Sequence, residues 1–403
     1  MISQRHLFFN HIAQTSDAPL ALEIDRADGI YLYDNNNKSY IDLISGIGVS
    51  SLGHNHPAII NAIHQQSSKY LHTLVYGEFV LSPQVQLASL LAQQLPESLS
   101  CTYFVNSGTE ATEGAMKLAK RYTGRRKIIS SKKAYHGTTQ GAMSLMSEAY
   151  FTAPFRPLLP HIDHIEFNKE EDLDRIDTDT ACVIVETVRA EIGIMAPKDD
   201  YLKKLRERCS QVGALLVLDE IQVGCGRTGT LFAFQQYGIV PDILLLAKAF
   251  GGGMPLGAFV ASKEMMHSFT NNPFLGNITT FGGHPVSCAA ALASFKVLCE
   301  QKEIINNVVH KANLFRALLQ HESIIECRNV GLIMALQFHS YDFVYKVIQE
   351  CLKNGLITDW FLFNAEAIRI APPLIITETE IKEACSILIN AIDKVYTHES
   401  AAI

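Results

Sequence analysis

Two charged residues close two short apolar runs, and their types define a chemistry. Ala214–Leu218 and Ile243–Ala247 are each bounded by polar or glycine-rich sequence; Asp219 ends the first and Lys248 the second. Runs of this length and character read as buried strands of a parallel sheet. Ligands of open α/β sheets sit outside the carboxyl ends of the strands, which brings the carboxylate and the amine to one site. A lysine reached from an apolar run can lose its proton and attack a carbonyl as a free amine. This pair suits pyridoxal phosphate: the lysine would hold the cofactor covalently, and the aspartate would keep its pyridine nitrogen protonated. The plain alternative is a lysine that merely caps a strand end.

The residues around the pair decide between these readings. Asp219-Glu220-Ile221-Gln222, Gly226–Gly229, Pro241-Asp242, Ala247-Lys248 and Gly251–Ala258 follow one another in that order. This series resembles the class III (ω-) aminotransferases, which carry D-E-x-Q, G-R-T-G, P-D, A-K and G-G-G-x-P-x-G-A in the same succession. The resemblance implies that Lys248 carries the cofactor and shuttles the proton as general acid–base. It also implies that Asp219 faces the ring nitrogen and that Gln222 contacts the ring hydroxyl.

The elements that must position these groups can be followed along the chain. The segment 1–45 holds a helix candidate, then a hairpin in which Ile30–Tyr33 and Ser39–Leu43 alternate about an Asn-rich turn. His54 and His56 lack a third ligand nearby, so they read as part of a structural turn and no metal is expected. Residues 57–98 look helical with a break near Tyr76-Gly77. Tyr103–Val105 is a strand and Glu110–Arg121 an amphipathic helix, with the turn Asn106–Thr109 between them. Ser107 and Glu110 match a capping box, and the amides of Ser107, Gly108 and Thr109 could equally bind a phosphate at the helix start. Both uses are compatible. The class III enzymes have S-G-T/S-E-A here and use it for the cofactor phosphate.

A strand at Lys127–Ser130 leads to Tyr135-His136-Gly137, where the family has aromatic-H-G. The resemblance implies that the Tyr135 ring stacks on the pyridine and that His136 belongs to the cofactor site. Most ω-amino-acid members then carry an arginine that clamps the donor's carboxylate; this chain has Thr138. Ala181–Val185 is another buried strand, and after it E-P-x-Q-G-E-x-G becomes E-T-V-R-A-E-I-G. Glu186 and Glu191 are kept, while Arg189 stands where the family has glutamine. Thr280, in Thr279-Thr280-Phe281-Gly282-Gly283, matches a threonine that contacts the cofactor phosphate of the neighbouring subunit. Arg369, in R-x-x-P-P-L, matches the arginine that takes the amino acid's α-carboxylate, and Glu191 the glutamate that pairs with it. Tyr76 falls at a substrate-side position.

With 403 residues, 48% hydrophobic and 19% charged, the chain can bury a large core. Its formal charge of −7 and the lack of a basic run argue against a nucleic-acid binder. No apolar run approaches the roughly 18 residues of a membrane span, and the first residues lack the pattern of a secretory signal. Nine scattered cysteines without a CxxC pair suggest a reduced, cytoplasmic protein.

The fold expected is α/β, of fold-type I. A mostly parallel, seven-stranded-type sheet flanked by helices spans 51–295. A smaller α+β domain is built from both chain ends, with 1–50 packing against 296–403. The resemblance is closest to the acetylornithine, ornithine and 4-aminobutyrate aminotransferase branch and implies a homodimer with shared sites. The reaction expected is ping-pong transfer of a terminal amino group to 2-oxoglutarate, from acetylornithine, ornithine or a diamine. 4-Aminobutyrate is the alternative donor, disfavoured by Thr138 unless Arg189 supplies the missing charge. An aminomutase or decarboxylase on the same fold is a further alternative. Gly224–Gly229 is literally GxGxxG after a strand, but Asp219 and Glu220 precede it and would repel a pyrophosphate, which counts against a nicotinamide dehydrogenase. A non-catalytic binding protein is disfavoured because every residue of the chemistry is present.

Overall fold

The computed structural model describes residues 3–400. Fifteen strands form three sheets among them. Strands β1 (Ile24–Asp28), β2 (Tyr31–Asp34) and β3 (Ser39–Asp42) make an antiparallel meander. The central sheet contains β4 (Cys101–Val105), β5 (Lys127–Ser131), β6 (Ile162–Ile165), β7 (Thr180–Glu186), β8 (Leu215–Asp219), β9 (Ile243–Leu246) and β10 (Gly257–Ala261). Its order is β4-β10-β9-β8-β7-β5-β6, parallel throughout except for β10, which runs against both neighbours. Residues in β7, β8 and β9 are buried along their whole length. Such strands are covered on both faces, which is why they read as unbroken Val, Ile and Leu rather than as alternation.

The third sheet, β11 (Glu326–Asn329), β12 (Met334–Gln337), β14 (Asp359–Phe361) and β15 (Asn364–Ile370), is antiparallel, in the order β11-β12-β15-β14. The two-residue β13 (Leu356–Ile357) joins β3 in parallel, so the meander near the start is completed by the distant end of the chain. Helix Tyr341–Lys353 has a strongly amphipathic pattern and packs on β15 and on the long helix Glu378–Ser400.

Two local expectations change. The region 57–98 is two helices, Pro57–Ser67 and Ser82–Gln94, separated by a long non-helical segment. Gly77 sits at φ +81°, and Pro83 is pre-set for a helix start, so the chain cannot run through as one rod. Helix Gly108–Thr123 begins two residues earlier than the alternation suggested. Its N-cap is Ser107, whose Oγ accepts from Glu110 N at 3.3 Å. The reciprocal bond of the capping box goes elsewhere: Glu110 Oε2 accepts from Asn106 N at 2.6 Å. The histidines of the 54–56 turn have structural partners. His54 Nε2 meets Asp42 Oδ2 at 2.9 Å, and His56 Nδ1 accepts from Ala58 N at the start of the following helix.

Candidate active site

At the carboxyl ends of β7, β8 and β9 lies a cavity of about 380 Å³. Glu186 and Asp219 end β7 and β8 in matched register, and Asp219 pairs with Leu245 of β9. Lys248 follows β9 after one residue, Ala247, at φ +50°. A non-glycine residue in that region costs on the order of 1–2 kcal/mol, so the chain holds the lysine there against its own backbone preference. The cavity is lined by Ser107, Gly108, Thr109, Tyr135, His136, Thr138, Glu186, Asp219, Gln222 and Lys248 of the sequence-derived set. It is also lined by Asn106, from the turn before the helix, by Met254 and Pro255 of the Gly251–Ala258 motif, and by Val49; the sequence assigns none of the four a site role.

Asp219 is held from two sides. Its Oδ2 meets His136 Nδ1 at 2.6 Å, and its Oδ1 accepts from Ile221 N at 2.9 Å. The next residue, Glu220, accepts from Ala233 N, Phe234 N and Thr187 Oγ1 at 2.6–3.0 Å. Of two adjacent acids, one therefore serves the cavity and the other ties down a turn. Burial depresses the Lys248 ammonium, while Glu191 and Asp219 favour its charge and Arg369 opposes it. Burial also pushes the Glu186 carboxyl up to about 7, against the pull of Arg189.

The cavity fits pyridoxal phosphate on three observations. The start of the sixteen-residue helix Gly108–Thr123 opens into it through Ser107, Gly108 and Thr109, so an anion placed there would meet free amides and the helix dipole. Residue 108 is a glycine that packs against Ile221, a cavity-lining residue; a Cβ there would lie 2.9 Å from Ile221 Cδ1 and push that side chain toward the cavity or aside. Gln222 Nε2, buried beside the cavity, has no hydrogen-bond partner among the described residues.

Arg369 and Glu191 lie outside the cavity lining, close enough to Lys248 to bear on its charge. Arg369 Nη2 donates to Glu191 Oε2 at 2.9 Å. Arg189 does not supply the charge missing at Thr138. Its Nη2 donates to the carbonyls of Lys132 and Lys133, its guanidinium lies 5.7 Å from the Phe167 ring, and its Nε is 3.9 Å from Glu186 Oε2. Thr138 itself is exposed at the rim. Tyr76 does not reach the cavity of its own chain; it sits in the non-helical segment where Leu71, Phe79 and Val80 are exposed. Thr280 is exposed and likewise outside this cavity. The GxGxxG-like turn is occupied by Arg227, 1% exposed, which donates to Leu332 O and Pro372 O and clamps the turn to the C-terminal part of the chain.

Comparison with known proteins gives a consistent set of relatives. The family model for aminotransferase class-III matches residues 12–392. The acetylornithine aminotransferase of Methanopyrus kandleri is 38% identical over 370 residues, covering 91% of this chain and 92% of that protein. The enzyme of the same name from Archaeoglobus fulgidus is 36% identical over 381 residues, with coverages of 94% and 98%. Among solved structures, the ornithine aminotransferase of Toxoplasma gondii superposes with a TM-score of 0.90 at 27% identity, covering 99% of this chain and 96% of that one.

Proposed function

Because this chain belongs to the class-III aminotransferases, we propose that it binds pyridoxal phosphate through Lys248 and transfers the terminal amino group of acetylornithine or ornithine to 2-oxoglutarate. The observation that carries this reading is the meeting of Asp219 and Lys248 at the ends of adjacent parallel strands, in one cavity with a helix N-terminus. The names of the curated relatives and of the solved ornithine aminotransferase support the donor.

Pyridoxal phosphate, when bound, supplies an electron-withdrawing ring that stabilises negative charge at the substrate carbon. The chain's own residues do the rest. Lys248, disfavoured as an ammonium by burial, would be a nucleophile and then a base that takes a proton from the substrate carbon and hands it to the cofactor side of the C=N bond, so that the amino group is left on the cofactor. Asp219, oriented by His136 and by the Ile221 amide, would hold a proton on a ring nitrogen placed against it. The amides at Ser107–Thr109 would hold the phosphate, Tyr135 would cover one ring face, and Gln222 Nε2 would donate to the ring hydroxyl. Arg369 would receive the acceptor's carboxylate, with Glu191 as its partner in the free enzyme.

The site would be completed by a second copy of the chain. Thr280 is exposed in its own subunit, and so are Leu71, Phe79, Val80, Phe274, Ile278 and Phe281, apolar residues that a homodimer would bury. We also divide the chain into a large domain, 51–295, and a smaller one of 1–50 with 296–403; the pairing of β3 with β13 supports it. Nine unpaired cysteines support a reducing compartment such as the cytoplasm. A donor screen tests the function: acetylornithine, ornithine, putrescine and 4-aminobutyrate, each with 2-oxoglutarate or pyruvate. Glutamate should appear with acetylornithine or ornithine as donor. Turnover without a 2-oxo acid would instead indicate a mutase or decarboxylase.

A further inference from the structure

Two donors converge on one oxygen of Glu191. Arg369 Nη2 donates to Oε2 at 2.9 Å, and Leu362 N donates to the same atom at 3.0 Å. The first belongs to a guanidinium that is 2% exposed. The second is a main-chain amide in the turn of the β14–β15 hairpin. A charged N–H and a backbone N–H aimed at one carboxylate oxygen make a site for an anion, and here a side chain of the protein itself fills it.

Both donors are held by contacts that do not involve this carboxylate. The Phe361 ring lies 4.6 Å from the guanidinium carbon, and Trp360 O accepts from Nη2 at 3.3 Å. Asp359 faces Arg369 across the β14–β15 pair, with its Oδ1 3.2 Å from Nε. Nη1 is buried without a hydrogen-bond partner among the described residues, so the guanidinium has donor capacity to spare. The amide is placed by main-chain bonds. Phe363 N donates to Glu191 O at 2.9 Å, and Asn364 Nδ2 donates to Ile192 O at 3.2 Å. The hairpin is thus tied to the loop after β7 through that loop's backbone carbonyls. The Glu191 side chain can rotate away from Arg369 while the Leu362 amide stays where it is.

We propose that the Leu362 amide is a substrate-binding group: when an acceptor's carboxylate displaces Glu191 from Arg369, one of its oxygens takes the place of Oε2 and accepts from Leu362 N as well as from the guanidinium. The inference rests on the reading of Arg369 as the carboxylate site. The exchange swaps one carboxylate for another, so the charge around Arg369 and Asp359 is the same before and after. It also leaves no donor stranded. A site made of the arginine alone would cover the amide with ligand and give it no acceptor, which costs as much as a lost hydrogen bond. Glu191 is in this sense an internal copy of the ligand, and its contacts in the free protein mark the donors that the ligand inherits.

The N–H can be deleted without changing the turn. Leu362 and Phe363 form a two-residue turn between the facing residues Phe361 and Asn364, and neither has a positive φ. Such a turn fits type I geometry, in which proline is favoured at the first central position. The residue before it, Phe361, is already in a strand, as a following proline requires. Leu362→Pro therefore removes the donor, and Leu362→Ala, which loses the same side chain but keeps the N–H, is its reference. The probe is glutarate, which has the carbon skeleton of 2-oxoglutarate without the reacting carbonyl, titrated calorimetrically into the holoenzyme. In a Glu191→Ala background, where no internal carboxylate competes, Leu362→Pro should bind glutarate about tenfold more weakly than Leu362→Ala. With Glu191 present the two should bind alike, because the amide's bond is then lost from the free and the occupied state together. Equal affinities in the Glu191→Ala background overturn the proposal. So does tighter binding by Leu362→Pro when Glu191 is present, the result expected of an amide that serves only to hold the glutamate. Should the proline variant fail to fold, an amide-to-ester replacement at 362, made with the α-hydroxy analogue of leucine, deletes the same N–H and is read in the same way. Arg369→Ala in the Glu191→Ala background separates the two levels of inference. Glutarate binding that survives it removes the carboxylate site and the proposal together; binding lost there, with equal affinities for the Leu362 pair, refutes the role of the amide alone.

Discussion

Replacing Thr138 by arginine asks what chemistry the rim of the cavity selects. Thr138 is exposed and lines the cavity, so a longer side chain there displaces no core packing. Tyr135 is its neighbour, and Glu191 lies close enough to Tyr135 to bear on its hydroxyl. Among the described residues the rim offers no guanidinium to a donor's distal carboxylate, since Arg189 is directed away and Arg369 is held by Glu191. A charge-assisted hydrogen bond contributes about 1.5–3 kcal/mol, which is roughly 10–150-fold in an equilibrium or rate ratio. Exposure to solvent and competition from Glu191 favour the lower end, so we expect about tenfold. The assay compares kcat/KM for 4-aminobutyrate and putrescine, four-carbon donors that differ mainly in the charge of the distal group. Thr138→Arg should raise the 4-aminobutyrate/putrescine ratio by about tenfold, and added salt should shrink the gain. An unchanged ratio in a folded variant refutes the reasoning. So does a wild type that prefers 4-aminobutyrate and keeps that preference in Arg189→Ala.

Further outcomes follow from other residues. Lys248→Gly and Lys248→Ala should both be inactive, but without cofactor the glycine variant should be more stable by about 1 kcal/mol, because only glycine adopts φ +50° without strain; denaturant melts compare them. His136→Phe leaves Asp219 with the Ile221 amide alone and should weaken cofactor retention by about 5–150-fold, measured by dialysis, the loss of one hydrogen bond to a charged group costing about 1–3 kcal/mol. Arg227→Met strands two buried carbonyls and should lower stability by about 2–5 kcal/mol in chemical denaturation, with little change in KM. The Glu186 carboxyl, at about 7 in the fold, keeps its proton through a pH range in which the unfolded chain has lost it. Its contribution to stability therefore falls as pH rises from about 4.5 to 7, and Glu186→Gln should flatten that part of the stability profile of the cofactor-free protein.

How far the sequence could be read depended on how local each feature was. The strands ending at Asp219 and Lys248 were legible because fully buried parallel strands leave continuous apolar runs. The helix start at Ser107 was legible because capping is a contact over a few residues. Strand direction was not, since an apolar run carries no polarity, and β10 runs against its neighbours without any mark in its sequence. The apposition of Asp359 and Arg369 depends on the register of the β14–β15 hairpin, which has a shift between Trp360 and Phe361. The D-W-F sequence alone gives no sign of that shift. Arg189 showed the opposite difficulty. Its charge was conspicuous, but the direction of a long side chain is set by distant carbonyls, and here those of Lys132 and Lys133 turn it from the cavity. The segment around Tyr76 reads in the sequence as a short break between helices; the break extends from residue 68 to 81, and its apolar residues Leu71, Phe79 and Val80 are exposed in one chain.

We propose that Lys248 carries the cofactor opposite Asp219. Reducing the holoenzyme with borohydride, digesting it and locating the pyridoxyl group by mass spectrometry tests this claim most directly. A single modified peptide containing Lys248 is expected, with no labelling in Lys248→Ala and a folded but essentially inactive Asp219→Ala. A pyridoxyl group on another lysine, or full turnover by Lys248→Ala, would contradict it.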